Sequence, residues 1–269
     1  MILRKLYAFL WRDWQQARSY RLSFAMQAVG LAVPLVSLYF MGRLFNQVDV
    51  SPVDEYGGNY PAFALVGIII VGYSGTALRS FTGALRSAQV TGTLEILVLT
   101  PTSLPTMMFG WSLYPFLRST LFLFVAMFGG LFILGLSFAG ANVMSAVVTV
   151  LLTIMVMGSL GIVAASFTLV FKQGDPFTAI IVLASGMLSG TLYPVGILPA
   201  WLQGVAQMLP QTHAIEAMRL AVLQGSTIPE LAPRLGALAI YAAVLMPIGI
   251  FTLRKAMHQA RIDGSLAHY

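Results

Sequence analysis

Few side chains in this sequence are equipped for chemistry. There is no cysteine, which removes disulfides, thiolate catalysis and cysteine-ligated metals together. The three histidines, His213, His258 and His268, form no metal-ligand spacing, so no metal site is expected. No stretch has the glycine-rich phosphate loop that ends in lysine and serine or threonine, so the chain is not expected to hydrolyse ATP itself. Glu216 and Arg219 stand at i and i+3 and are expected to pair on one helix face, with His213 nearby as a solvated histidine at the membrane boundary. The stretch with the look of a working contact is Arg86 to Pro105, RSAQVTGTLEILVLTPTSLP. It starts polar, turns through Gly92 and Thr93, and sets Glu95 before an apolar run that ends at proline. It reads as a cytosolic helix held against a membrane.

The elements around these residues must themselves lie in a membrane. Of 269 residues 58% are hydrophobic and 9% charged, against about 25% charged in soluble domains, and a soluble surface cannot be solvated on that composition. A run of roughly 18 apolar residues crosses a bilayer core. Uncharged runs predict an all-α polytopic fold in one domain, 1–269, with spans at about 22–42, 56–78, 119–137, 142–171, 176–193 and 235–253. Ser119 to Phe171 holds 53 residues without a charge, far more than one crossing needs, and is expected to turn back at Ser137 to Asn142. Ile96 to Leu117 is uncharged too, but Pro101, Pro105 and Pro115 remove backbone donors, so it is not counted as a separate span.

Charge placement sets the expected orientation. Arg4, Lys5, Arg12, Arg18 and Arg21 precede the first span, whereas Asp49, Asp54 and Glu55 follow it, so the amino terminus is expected in the cytosol. Six crossings also return Arg254, Lys255 and Arg261 to that side. The net charge of +6 is read as orientation and headgroup contact rather than as a nucleic-acid surface. Residues 1–21 have helical apolar spacing at Leu3, Leu6, Tyr7, Leu10, Trp14 and Ala17, which predicts an amphipathic interface helix. Phe9 falls on its polar side, which points to contact with a partner protein beside lipid. No cleaved signal is expected, because about twenty charged and aromatic residues precede the first apolar run.

Two motifs carry a family resemblance. The glycine, threonine, leucine and glutamate at Gly92 to Glu95, followed by leucines and the Thr100–Pro101 pair, resemble the loop after span two in ABC transporter type 2 permeases. Leu188 to Arg219, LSGTLYPVGILPAWLQGVAQMLPQTHAIEAMR, resembles the region closing span five in the same family, with Gly190, Tyr193, Pro194, Leu198 and Pro199 in place. The resemblance implies a permease subunit of an ATP-driven exporter, paired as a homodimer or heterodimer and joined to two copies of a separate ABC ATPase. It implies no cofactor on this chain, with ATP and Mg on the ATPase. It implies that Arg86, Gly92, Thr93 and Glu95 couple to that ATPase, that the proline-rich stretch forms an external re-entrant gate, and that the chain sits in the cell (inner) membrane. The front segment RDWQQARSYRLSFAMQ lacks the pattern of the polysaccharide-exporting branch, which tilts the expected substrate toward a lipid, glycolipid or drug. A polysaccharide or lipid-linked glycan exporter and a non-transporting scaffold are the alternatives.

The remaining features have two readings each. Phe124, Phe128 and Phe132 share one helix face, either lining a path for an amphipathic substrate or packing against lipid. Gly161 with Ala165, and Gly186 with Gly190, allow close helix approach within the chain or between copies. Arg118 is expected to snorkel to headgroups, with gating as the other reading. A membrane-embedded enzyme or an ion-coupled carrier would need acidic or basic groups inside the spans, and these spans contain no aspartate, glutamate, lysine or histidine.

Overall fold

The computed structural model describes residues 2–19, 21–45, 59–92, 104–171 and 176–262, and among them every regular element is helical. In order these are α1 (Ile2–Ser19), α2 (Arg21–Phe45), α3 (Tyr60–Val90), α4 (Leu104–Ile133), α5 (Val143–Phe171) and α6 (Pro176–Leu188). A 3-10 turn (Val195–Ile197), α7 (Ala200–Gln207), α8 (Pro210–Leu223) and α9 (Ala232–Ile262) follow. The helices α3, α4, α5 and α9 are long and apolar enough to cross a bilayer. The chain is therefore a multi-pass membrane protein. Beside them, α2 runs 25 residues with charge only at Arg21 and Arg43, whereas the 13 residues of α6 reach roughly 20 Å, short of a bilayer core of about 30 Å.

The central helix is α3, and its ends show why it forms there. Asn59 caps it, its side-chain oxygen accepting from the Ala62 amide at 3.1 Å, and Pro61 occupies the first turn, where no amide is needed. At the other end Thr91 and Gly92 close the last carbonyls, with Gly92 at φ +66°, a left-handed position that suits glycine. Between these caps α3 packs against α2 and α4 on one side, α5 on another, and α8 near its start. Phe81 and Leu85 of α3 join Met108 and Trp111 of α4, Ala165 and Leu169 of α5, and Leu253 and Met257 of α9 in one buried cluster. A second cluster joins Val66 and Ile70 of α3 to Val156, Ile215, Met218 and Leu238.

The first cluster marks the end of the bundle where α1 lies, called here the α1 end; the other is the far end. At the α1 end Phe9 packs against the cluster, and its ring stands where a Cβ on Gly110 would be, 2.5 Å away. Phe9 thus packs on α4 of the same chain, because Gly110 opens a seat for the ring, while Arg12 and Gln16 on the same side of α1 stay exposed.

The expected third span, 119–137, is the later part of a longer helix that begins at Leu104. Pro105 falls in its first turn, where a missing amide costs nothing, and Pro115 lies inside it. The turn after α4 occupies Leu134 to Asn142, with Gly135 at φ +65° and the Asn142 side chain capping α5 through the Ser145 amide at 3.1 Å.

Gly161 settles one of the small-residue pairs. A Cβ there would stand 2.6 Å from the Leu78 carbonyl oxygen and 3.0 Å from that of Ala77, so the α3 and α5 backbones touch at this point within one chain. Gly161→Ala is expected to cost about 2 kcal/mol, because backbone rather than a flexible side chain must move. Gly236→Ala on α9, where the added methyl meets open space, is expected to be neutral or slightly stabilising. Thermal unfolding of the two variants in the same detergent checks the sign of each.

Candidate functional site

The α1 end holds a cavity of about 750 Å³, bounded by α1, α3, α4 and Val182 of α6. One face of α3 supplies most of its wall, through Gly72, Gly75 and Thr76, Arg79, Gly83 and Ser87 on successive turns. A Cβ built on Gly72, Gly75 or Gly83 meets nothing within 4 Å, so this face is open along its length. From α4 come Trp111, Pro115 and Arg118, and from α1 come Arg12, Asp13 and Gln16.

The cavity wall is cationic. Asp13 is held by Arg12, with Nε donating to Oδ1 at 2.8 Å, and the Arg12 guanidinium also lies 5.4 Å from the centre of the Phe9 ring. Arg79 and Arg118 carry no side-chain partner among the described residues. Arg79 lies about two-thirds of the way along the 31 residues of α3, and Arg118 midway along the 30 residues of α4. Beside Arg118 run the polar contacts that join α3 to α4: Tyr73 and Thr120 hydroxyls at 2.8 Å, and Ser119 Oγ donating to Thr76 Oγ1 at 3.3 Å.

A second cavity, of about 310 Å³ and lined mainly by apolar side chains of α2, α3 and α4, shares Gly72, Thr76 and Arg118 with the first. Leu35, Leu65, Ile69 and Phe122 are among its walls. Arg118 therefore stands where a polar chamber meets an apolar one.

The expected coupling residues fall at the mouth of the polar chamber or outside the described residues. Arg86 is exposed on the last turns of α3, next to Ser87 on the chamber wall, and Gly92 ends that helix. Thr93 and Glu95 lie outside the described residues.

The expected gate residues assemble at the far end. Gly190 turns the chain after α6 at φ +73°, and Tyr193 donates its hydroxyl back to the Met187 carbonyl. Pro194 begins the 3-10 turn, Leu198 closes it, and Pro199 starts α7. Gln203 fastens the group, donating to the Leu198 carbonyl at 2.7 Å and that of Gly196 at 3.1 Å. His213 bonds the Gln207 carbonyl through Nε2 at 2.9 Å.

Arg219, which the sequence pairs with Glu216, ties this element to α3 instead. It is buried at 3% exposure, donating from Nε to the Phe63 carbonyl at 3.1 Å and from Nη2 to the Thr191 carbonyl at 2.7 Å, with its guanidinium 3.3 Å from the Phe63 ring centre. Gly67 makes room for this clamp, since a Cβ there would lie 2.3 Å from the Thr191 oxygen. Glu216 takes Arg234 of α9 as its partner at 2.5 Å. The i, i+3 rule fails here because α8 is wedged between α3 and α9, and each charge faces a different neighbour.

Phe124, Phe128 and Phe132 share an exposed face of α4. Phe124 lines an apolar crevice between α4 and α5, and the Phe128 and Phe132 rings stack with centroids 6.5 Å apart. None of the three borders the polar chamber. Sequence reasoning left Arg79 without a role and gave Arg118 an interfacial one, with gating as the other reading. The signal available was the small and polar period on α3, Gly72 to Ser87, which an apolar-run search averages away.

Residues 4–223 match the family described as ABC-2 type transporter. The chain is similar to Nodulation protein J of Neorhizobium galegae, 34% identical over 113 residues, which are 40% of this chain and 41% of that protein. It is also similar to the Linearmycin resistance permease protein LnrN of Bacillus subtilis, 26% identical over 42% of this chain and 29% of that protein. These two matches thus span less than half the length of either relative. Nodulation protein J of Bradyrhizobium diazoefficiens is 24% identical over 229 residues, 84% of this chain and 85% of that protein.

Proposed function

The chain belongs to the ABC-2 type transporter family, and from that premise we propose that it is the permease subunit of an ATP-driven exporter of an amphipathic substrate. A separate ABC ATPase, in two copies, binds ATP and Mg and docks on the α1 end. Two permease chains, identical or related, form the pathway. The α1 end faces the cytosol of the cell (inner) membrane, with both chain ends on that side, and six crossings come from the four long apolar helices together with α2 and the segment that begins with α6.

The observation that carries this reading is the polar chamber at the α1 end, walled by the helix whose last turn leads into the expected coupling segment. A displacement at Arg86, Gly92, Thr93 or Glu95 is transmitted along α3 as a rigid rod to Arg79 and Gly72 on the chamber wall. The element from Gly190 to Pro199, clamped to α3 by Arg219, is the gate at the opposite end of the same helix. The printed name of one relative, a linearmycin resistance permease, favours a drug-like amphiphile as passenger.

Glu95→Arg is expected to abolish co-purification of the ATPase or to reduce substrate-stimulated ATP hydrolysis more than tenfold, with the permease itself still folded. Pull-down followed by phosphate release checks this. A complex that forms and turns over normally with Glu95→Arg would remove the coupling assignment.

A further inference from the structure

We propose that the chamber at the α1 end binds the anionic head of a singly or doubly charged amphiphile, held by Arg118 and Arg79, while its apolar chain enters the adjoining cavity between α2, α3 and α4. The inference deepens the exporter reading and rests on it for the word passenger, but the binding itself does not.

Three observations converge on it. First, an ionisable side chain at membrane depth is costly and is retained where it faces a cavity or a charge. Arg118 lies midway along a helix long enough to cross a bilayer and faces two cavities, and neither it nor Arg79 has a partner among the described residues. Second, the only carboxylate on the chamber wall among the described residues is Asp13, which Arg12 already neutralises at 2.7 Å, so the wall keeps the charge of two arginines. A guanidinium fork matches a carboxylate or phosphate oxygen pair better than any neutral head. Third, the charge sits at a seam: Gly72, Thr76 and Arg118 border both the polar cavity of about 750 Å³ and the apolar one of about 310 Å³. A head and a chain joined at one point fit across that seam, whereas a neutral drug or a free inorganic anion uses only one half of it. The open glycine face of α3 leaves the head room beside the arginines.

The test uses Trp111, which lines the chamber. Replacing Trp11, Trp14 and Trp201 with phenylalanine leaves it as the sole tryptophan of the four. This chain is placed in phosphatidylcholine nanodiscs and titrated with 2-bromododecyl phosphate, whose bromine lies next to the head, and with 2-bromododecyl glucoside as a neutral control. Saturable quenching by the phosphate alone is expected, with half-saturation raised at least tenfold in Arg118→Gln and less than threefold in Arg118→Lys, which keeps the charge. Equal quenching by the glucoside, or an unchanged titration in both Arg118→Gln and Arg79→Gln, would overturn the proposal.

Nanodiscs containing one fifth phosphatidylglycerol separate the two sources of such a head. Competition by that lipid assigns the site to a bilayer headgroup, and its absence assigns it to a passenger; either supports anionic recognition. Because the titration needs no ATPase, a chain that binds the phosphate but engages no ATPase would sink the exporter reading and leave this site standing.

Discussion

Arg219→Met will loosen the far-end element from α3. The methionine fills much of the same space, but the Thr191 carbonyl loses the donor that reaches it at 2.7 Å. An orphaned buried carbonyl costs roughly 1–3 kcal/mol, and relief from burying the guanidinium charge offsets part of the lost contacts. A net loss of about 2 kcal/mol is expected. Arg219→Lys keeps the charge but has no fork for two carbonyls 128 residues apart in sequence, so it is expected to fall between the native chain and the methionine variant. The effect should be local. Ser189, buried at 1% exposure and paired with the Thr191 hydroxyl at 3.2 Å, is the reporter: Ser189→Cys should react with a maleimide at least tenfold faster in the Arg219→Met background. An equal rate in both backgrounds would show that the clamp does not hold the turn.

Gly67→Val attacks the same contact from α3 and should have the larger effect. Its Cβ would stand 2.3 Å from the Thr191 oxygen and 2.7 Å from Nη2 of Arg219, so a backbone segment and a buried cation must both shift. Overpacking of this kind costs about 3 kcal/mol where the neighbour is backbone. If the clamp is one unit, Gly67→Val combined with Arg219→Met will cost much less than the two single losses together, since either alone already frees the turn. Thermal unfolding of the four chains gives the cycle, and full additivity would separate the two residues.

The sequence made the class of this fold legible through its long uncharged runs, because a bilayer demands them of any helix that crosses it. Chain reversal after α4 was legible too, as Gly135 and Asn142 carry the geometry and the cap of that turn. Proline misled at α4. Pro105 was weighed as a break, but in the first turn of a helix it removes an amide that has no partner anyway. Arg219 misled because an i, i+3 rule sees one helix, while the partners of that residue lie elsewhere, and a helical wheel could not show the seat of Phe9 for the same reason. Gly110 for Phe9, and Phe63 and Thr191 for Arg219, are distant in sequence and have no signature of their own. The chamber was hidden because Gly72, Gly75 and Gly83 look like ordinary membrane glycines until α1 and α4 are placed beside them.

A chain without cysteine permits one direct measurement of the central claim, that ATP binding on a partner ATPase is transmitted along α3 to the wall of the α1-end chamber. Gly75→Cys puts a single thiol on the chamber wall, where a Cβ meets open space. In oriented vesicles with the ATPase bound, a membrane-impermeant maleimide should label it from the cytosolic side without nucleotide. Trapping ATP should slow that labelling at least tenfold. The same rate with and without trapped ATP, in a complex that hydrolyses ATP, would contradict the account.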